Sequence, residues 1–277
     1  MKKFKVGLQL YSVRDKMEAD MDNTLDAVKK AGYDYVEFAG YFNKTAKEVK
    51  ALLDKHGLEC VSVHQTYDVF LDEPERNVEY LKTIGAKYSA VPWMGKEKHN
   101  GSGRFDKTVE EITKVAKLLK ENGIQMLYHN HDFEFEKYEG KFLNDWLMES
   151  IPADLIQPQV DTCWVHYAGY NPAKYIEKYS GRIEVIHLKD FVCKNLGGGP
   201  VYALVDENGN EMKKSSKEEN GFEFRPLGEG IQKFEEILAA AEKAGTEVVI
   251  VEQDDWYDGD SLEIAKKCRD YLRSLGI

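Results

Sequence analysis

Five stretches of this chain share one grammar: KKAGYDYVEF, KHGLECVSV, KTIGAKYSAV, KENGIQMLY and EKAGTEVVIV. Each closes a charged, helix-like run on Lys or Glu. Each then places Gly where a helix C-cap needs a left-handed residue, and opens a β-branched or aromatic run. A unit that repeats helix, glycine, strand builds parallel strands, because parallel neighbours need a crossover helix between them.

Eight strand-like runs follow one another: 5–11, 33–38, 58–64, 87–93, 124–130, 156–162, 183–189 and 247–253. Eight amphipathic, charge-rich runs alternate with them: 22–31, 45–56, 74–84, 106–122, 141–149, 171–180, 231–244 and 260–274. Eight such units predict an α/β fold of the (β/α)8 TIM-barrel type, for which about 250 residues is typical. The chain has 277 residues. An open doubly wound sheet would carry a Gly-rich nucleotide turn after the first strand; here that turn is LQLYSVRD. A single domain over residues 1–277 is expected, with an insertion at about 191–230 after the seventh strand. VYALVDENGNEMKK (201–214) is read as a hairpin and GGGP before it as a hinge, together capping the active-site face.

Composition narrows the partners. The net charge is −11 and the pI about 5.3, so no basic surface invites nucleic acid or anionic lipid. No apolar run approaches the ~20 residues that span a bilayer. The start, MKKFKVGLQLYS, reads as a first strand and not a leader. Cys60, Cys163, Cys193 and Cys268 are scattered, with no CxxC pair. Reduced thiols in a cytoplasmic protein are expected, with a homo-oligomer possible.

In a barrel the chemistry gathers at the C-terminal ends of the strands. Those ends offer, in order, Gln9, Glu37, His64, Trp93, then His129 with His131 and Glu134, then Asp161, then His187 with Lys189 and Asp190, and Glu252 with Asp254. Unpaired buried carboxylates are costly and repel one another. A divalent cation held by His129, Asp161, His187 and Glu252 accounts for the cluster, and a mixed N/O set suits Mn²⁺, Fe²⁺, Zn²⁺ or Co²⁺. Each residue also has an ordinary alternative. His129 fits a hydrogen-bonded core histidine, with His131 as the other strand-five ligand. Asp161 fits a cap, Glu252 a lysine's partner, and His187 a donor to a backbone carbonyl. His56 and His99 are read as surface residues, and His166, just past the sixth strand's end, is only a secondary candidate for substrate contact. Trp93, Trp256 and Tyr11 are candidate apolar faces for a bound ring, and Lys189 and Arg225 candidate anion partners.

GLQLYS, VEF, SVHQ, YHNHDFEF, VDTCWV, VIHLKD, PLGEG and VIVEQD, in this order, resemble the sugar phosphate isomerase/epimerase family of xylose isomerase-like barrels, nearest its inosose dehydratase/isomerase-like branch. The resemblance implies one divalent ion, Mn²⁺ first and Zn²⁺, Co²⁺, Fe²⁺ or Mg²⁺ after it. Asp161, His187 and Glu252 match three of that family's ligand motifs. At the fourth, where many relatives have Glu in ENH, this chain has His129 in HNH. Of the two glutamates that work on opposite faces in the ketose epimerases, only Glu252 remains. Glu134, His131 and Lys189 are the candidates for the second proton-transfer group. Gln9, Glu37, His64, Trp93 and Asp254 are expected to contact substrate. The function implied is isomerisation or epimerisation of a small sugar or polyol-derived ketone through an enediolate. Dehydration by a lyase, and non-catalytic sugar binding, are the alternatives.

Overall fold

The computed structural model describes residues 4–197, 220–257 and 259–277. Eight parallel strands close into a barrel: β1 Lys5–Gln9, β2 Tyr35–Phe38, β3 Glu59–His64, β4 Tyr88–Val91, β5 Gln125–His129, β6 Ile156–Asp161, β7 Val185–Leu188 and β8 Val248–Val251. Each pairs with its neighbours in sequence and β8 closes onto β1, Lys5 opposite Val248. All eight expected strands form. The helices between them include Met21–Ala31, Ala46–His56, Pro74–Ile84, Phe105–Glu121, Phe234–Ala244 and Ser261–Ser274.

Local chemistry sets these boundaries. Thr45 and Glu48 form a reciprocal capping box at the start of Ala46–His56, satisfying donors that a helix N-terminus otherwise leaves open. Gly85, at φ 83°, ends Pro74–Ile84, and its N–H reaches the carbonyls of Leu81 and Lys82. That left-handed turn strains a residue with a Cβ, which explains why the repeated grammar has glycine there.

The barrel's own core has two layers, and a third cluster of Cys163, Trp164, Tyr167, Phe191, Phe222 and Phe224 lies by the long connection. The larger lies between sheet and helices and includes Leu8, Val36, Phe38, Leu127's neighbours Met126 and Tyr128, Ile156 and Ile186. The smaller fills the barrel with Val61, Tyr88, Ala90, Leu127, Val185, Val248 and Ile250. Side chains alternate along a strand, so the next inward positions after Leu127, Val185 and Ile250 are His129, His187 and Glu252. The apolar plug thus becomes a polar floor within one step of each strand.

The seventh βα connection is long. Its stem is a two-stranded antiparallel ribbon, Asp190–Val192 against Glu223–Arg225. The hairpin expected at 201–214, and with it the cap over the site, lies outside the described residues. A second short ribbon, Lys137–Tyr138 against Lys141–Phe142, and the short helices Arg14–Ala19, Asp68–Asp72 and Thr162–Tyr167 have too few residues to register as periodicity.

Candidate active site

Three braces set the strand ends of β5 to β8. Asn130, the centre of HNH, accepts the Asp161 N–H on its Oδ1 at 3.1 Å. Thr162, next to Asp161, donates its hydroxyl to the His187 carbonyl at 2.9 Å. The Glu252 N–H donates to the Leu188 carbonyl at 3.1 Å. Motif residues that never face the cavity therefore fix the height of those that do.

His129, Asp161, His187 and Glu252 come together. One donor atom from each lies within 4.8 Å of the other three, and all four residues are buried. Ligand atoms about 2.0–2.2 Å from a zinc-sized ion stand within about 4.4 Å of one another, so small inward shifts close this set around a cation. Burial, reinforced by the neighbouring imidazoles, holds His129 well below the usual histidine range, leaving a neutral ring. Asp161 Oδ1 accepts the Cys163 N–H at 2.8 Å. Its Oδ2 is buried without a hydrogen bond, 3.1 Å from the Lys189 ammonium. Two imidazoles and two carboxylates, one with an open lone pair, fit a divalent metal.

Lys189 is almost fully buried and sits among three carboxylates. Its Nζ is 3.1 Å from Asp161 Oδ2, 3.0 Å from Glu252 Oε2 and 3.0 Å from Asp254 Oδ2. Burial opposes its charge, but the three carboxylates outweigh it and hold the ammonium well above the usual lysine range. Its charge also lies over the rings of Trp164 and Phe224, at 5.3 and 5.7 Å. Phe224 belongs to the stem of the long connection, so that excursion helps to wall the site. Burial likewise pushes Glu252 up, yet Lys189 and His187 bring it well below the usual carboxylate range. Asp254, for which burial dominates, is lifted to about 6.

Gln9 and Glu37 were expected at the substrate; the structure places them underneath. Both are fully buried, and neither lines the cavity. Glu37 Oε1 accepts from Gln9 Nε2 at 2.8 Å and faces His187 Nε2 at 2.7 Å and His64 Nε2 at 2.9 Å. Burial pushes Glu37 up, but His64 and His187 outweigh it and keep it well below the usual range. Glu134 is also turned away. Its carboxyl accepts the Tyr128 hydroxyl at 2.6 Å and the His131 N–H at 2.8 Å, so it braces the loop after β5. Burial lifts it to about 8.

The open part of the site is a cavity of about 260 Å³ lined by Tyr11, His64, Trp93, His129, His131, Lys189, Glu252 and Asp254 among others, room for one small polyol. Trp93, 42% exposed, stands at the mouth. Trp256 is not a wall; it stacks on Arg14, which also covers Tyr11. His166 binds Gln232 Oε1 at 2.8 Å, and Arg225 pairs with Glu223. His99 is not a surface residue: it is buried, and burial brings it down to about 4. His56 pairs with Asp22 at 2.6 Å on the helical layer.

Two supports have roles that the sequence reading did not assign: Gln159, which it missed, and Asp190, which it placed only at the end of the seventh strand. Gln159 on β6 joins Glu37, His64 and His129. Its signal was the spacing QVD, which puts it on the same face as Asp161. Asp190 accepts the N–H groups of Gly228, Gly230 and Gln232 at 3.0, 2.9 and 3.1 Å, fastening PLGEG beside Lys189. A Cβ on Gly230 would meet Asp190 Oδ1 at 2.1 Å, so that approach requires glycine.

The family model for the xylose isomerase-like TIM barrel matches residues 25–275. The chain belongs to that family. An inosose dehydratase of Mesomycoplasma hyopneumoniae (strain 7448) is 27% identical over 288 residues, covering 93% of this chain and 89% of that protein. The match to an inosose dehydratase of Geobacillus kaustophilus, also 27% identical, covers 61% of each chain. Among solved structures, a sugar phosphate isomerase/epimerase from Parabacteroides distasonis superposes with a TM-score of 0.77 at 21% identity, over 99% of this chain and 95% of that one. The IolI protein, crystallised with a zinc atom, gives 0.70 at 15% identity over 98% and 97%. At these identities the two structures speak to fold alone. Among the described residues no helix is long and apolar enough to cross a membrane.

Proposed function

We propose that this protein is a divalent-metal-dependent enzyme that enolises a small sugar or polyol-derived ketone and then expels a β-hydroxyl as water. The observation that carries the reading is the contact of Glu252 Oε2 with Lys189 Nζ at 3.0 Å, beside the four-residue donor set. His129, Asp161, His187 and Glu252 are the residues that would hold the metal. When bound, the ion acts as a Lewis acid on the ketone and makes the adjacent C–H acidic. Glu252, kept ionised by Lys189 and His187, is the base. Lys189 is the acid that protonates the departing hydroxyl. Trp93 and Tyr11 flank the ring, and Asp254 holds the ammonium in place.

Base and acid lie side by side, so they serve one face of the substrate. That supports syn elimination. It argues against epimerisation, which needs proton-transfer groups on opposite faces, and the strand-five position that would supply the second glutamate is His129. The names of the inosose dehydratase relatives agree with this choice. Aldose–ketose isomerisation is the second reading, because a single base on one face can move a proton between adjacent carbons.

The test is assay of the protein loaded in turn with Mn²⁺, Co²⁺, Zn²⁺ and Mg²⁺ against a panel of inososes and keto-sugars in D₂O. Dehydration predicts an absorbing enone or dione product with one equivalent of water lost; isomerisation predicts a product of unchanged mass. Asp161→Ala and His187→Ala are expected to lose both metal and turnover. Full metal content in both variants would sink the site assignment.

A further inference from the structure

Beneath the donor set lies a frame of amides and carboxylate whose hydrogen-bond polarity can be worked out residue by residue. It starts at Gln9. The Gln9 Oε1 accepts the Tyr11 backbone N–H at 3.1 Å, so its amide nitrogen is the atom that donates to Glu37 Oε1 at 2.8 Å. An ionised carboxylate only accepts. Glu37 Oε2 therefore receives an N–H from Gln159 Nε2, at 2.7 Å.

That contact turns the Gln159 carbonyl oxygen toward two imidazoles. Oε1 stands 2.9 Å from His64 Nε2 and 3.2 Å from His129 Nδ1. A carbonyl oxygen has no proton to give, so both ring nitrogens carry one. His129 is thereby the Nδ1–H tautomer. Its Nε2 is left with a bare lone pair, on the side of the ring 3.7 Å from Asp161 Oδ2. His187 Nε2 donates to Glu37 Oε1 at 2.7 Å, which leaves Nδ1, 2.9 Å from Glu252, as the ring atom that would turn to a metal.

We propose that Gln159 is a positioning residue that selects the His129 tautomer and holds its ring so that Nε2 points at the metal site. Gln159 is fully buried and two residues before Asp161 on β6, so it shares that residue's inward face. Partners of this kind, donated to by a ligand's second nitrogen, typically change metal affinity by about 10–100-fold when removed. The inference rests on the metal reading above for its purpose, but not for its hydrogen-bond polarity. The strand-five ligand of this chain is a histidine, which has two tautomers; a glutamate at that position would need no such selection.

The experiment uses the full chain labelled with ¹⁵N-histidine, which has seven histidines. The His129 ring is assigned by its disappearance in His129→Asn. In metal-free wild type, long-range ¹H–¹⁵N spectra are expected to show a protonated Nδ1 and a bare Nε2. On adding Zn²⁺ the Nε2 resonance is expected to shift. Gln159→Leu, and Gln159→Met as a second variant of similar volume, are expected to fold, to lose the single-tautomer signature and to bind Zn²⁺ about 10–100-fold more weakly by calorimetry. A proton on Nε2 in wild type overturns the proposal, as does wild-type zinc affinity in a folded Gln159 variant. If wild type takes up no zinc at all, the metal reading fails; the metal-free spectrum then still decides the tautomer.

Discussion

Lys189 is the side chain whose removal the rest of the site would feel most. Asp161, Glu252 and Asp254 share its ammonium at 3.0–3.1 Å; Asp161 and Glu252 are buried and Asp254 is partly so. Lys189→Met keeps much of the stem that packs near Trp164 and Phe224 but leaves three carboxylates facing one another. Breaking a buried pair by removing one partner costs about 3–5 kcal/mol. The metal-free variant is therefore expected to melt well below metal-free wild type, and to recover part of the difference when a divalent cation is supplied. Turnover should be lost in both forms. An unchanged melting temperature in the metal-free variant would show that the carboxylates are already neutral without it. The residues involved were legible because each ends a strand. Their division of labour was not: Gln9, Glu37 and Glu134 sit at the same strand ends yet point beneath or away from the cavity, and only side-chain contacts distinguish floor from wall.

The elements were legible to within a few residues, because glycine caps and alternating patterns are local chemistry. What escaped is non-local. YHNHDFEF reads as a cluster of ligands, but in the fold it is half cavity wall and half brace. His129 and His131 line the cavity, Asn130 ties β5 to β6, and Glu134 pins the loop to Tyr128 and the His131 N–H. Burial lifts Glu134 to about 8 from an ordinary value of 4.5. Over that interval the folded chain binds a proton that the unfolded chain has lost. The contribution is fully present below pH 4.5 and is lost as pH rises through 8, at up to about 1.4 kcal/mol per pH unit. Glu134→Gln has no such proton to lose. It is expected to stabilise the protein at pH 8 relative to wild type and to flatten the alkaline fall in urea midpoint between pH 5 and 8. Parallel pH profiles for the two proteins would mean that Glu134 is ionised in the fold.

At the scale of the molecule, the barrel concentrates charge that its surface does not need. Glu37, Asp161, Glu252 and Asp254 are all placed at one end of the strands in a chain whose net charge is already −11. Three buried carboxylates and the partly buried Asp254 against the single ammonium of Lys189, with His187 lifted to about 10 between Glu37 and Glu252 (burial opposes this shift, but the two carboxylates outweigh it), leave an excess of negative charge in a low-dielectric floor. A bound divalent cation would cancel most of it. A ligand that binds only the folded state stabilises it by about 4 kcal/mol at a thousand times its Kd. For a chain of this size each kcal/mol is worth roughly 2–4 °C, so saturating metal is expected to raise the melting temperature by roughly 10 °C over chelator-treated protein. Asp161→Asn should abolish that rise while leaving the barrel's far-ultraviolet circular dichroism intact. A melting temperature indifferent to chelator and metal alike would mean that the lysine and the imidazolium already suffice for these four carboxylates, and the site would have to be read as a purely organic acid–base centre.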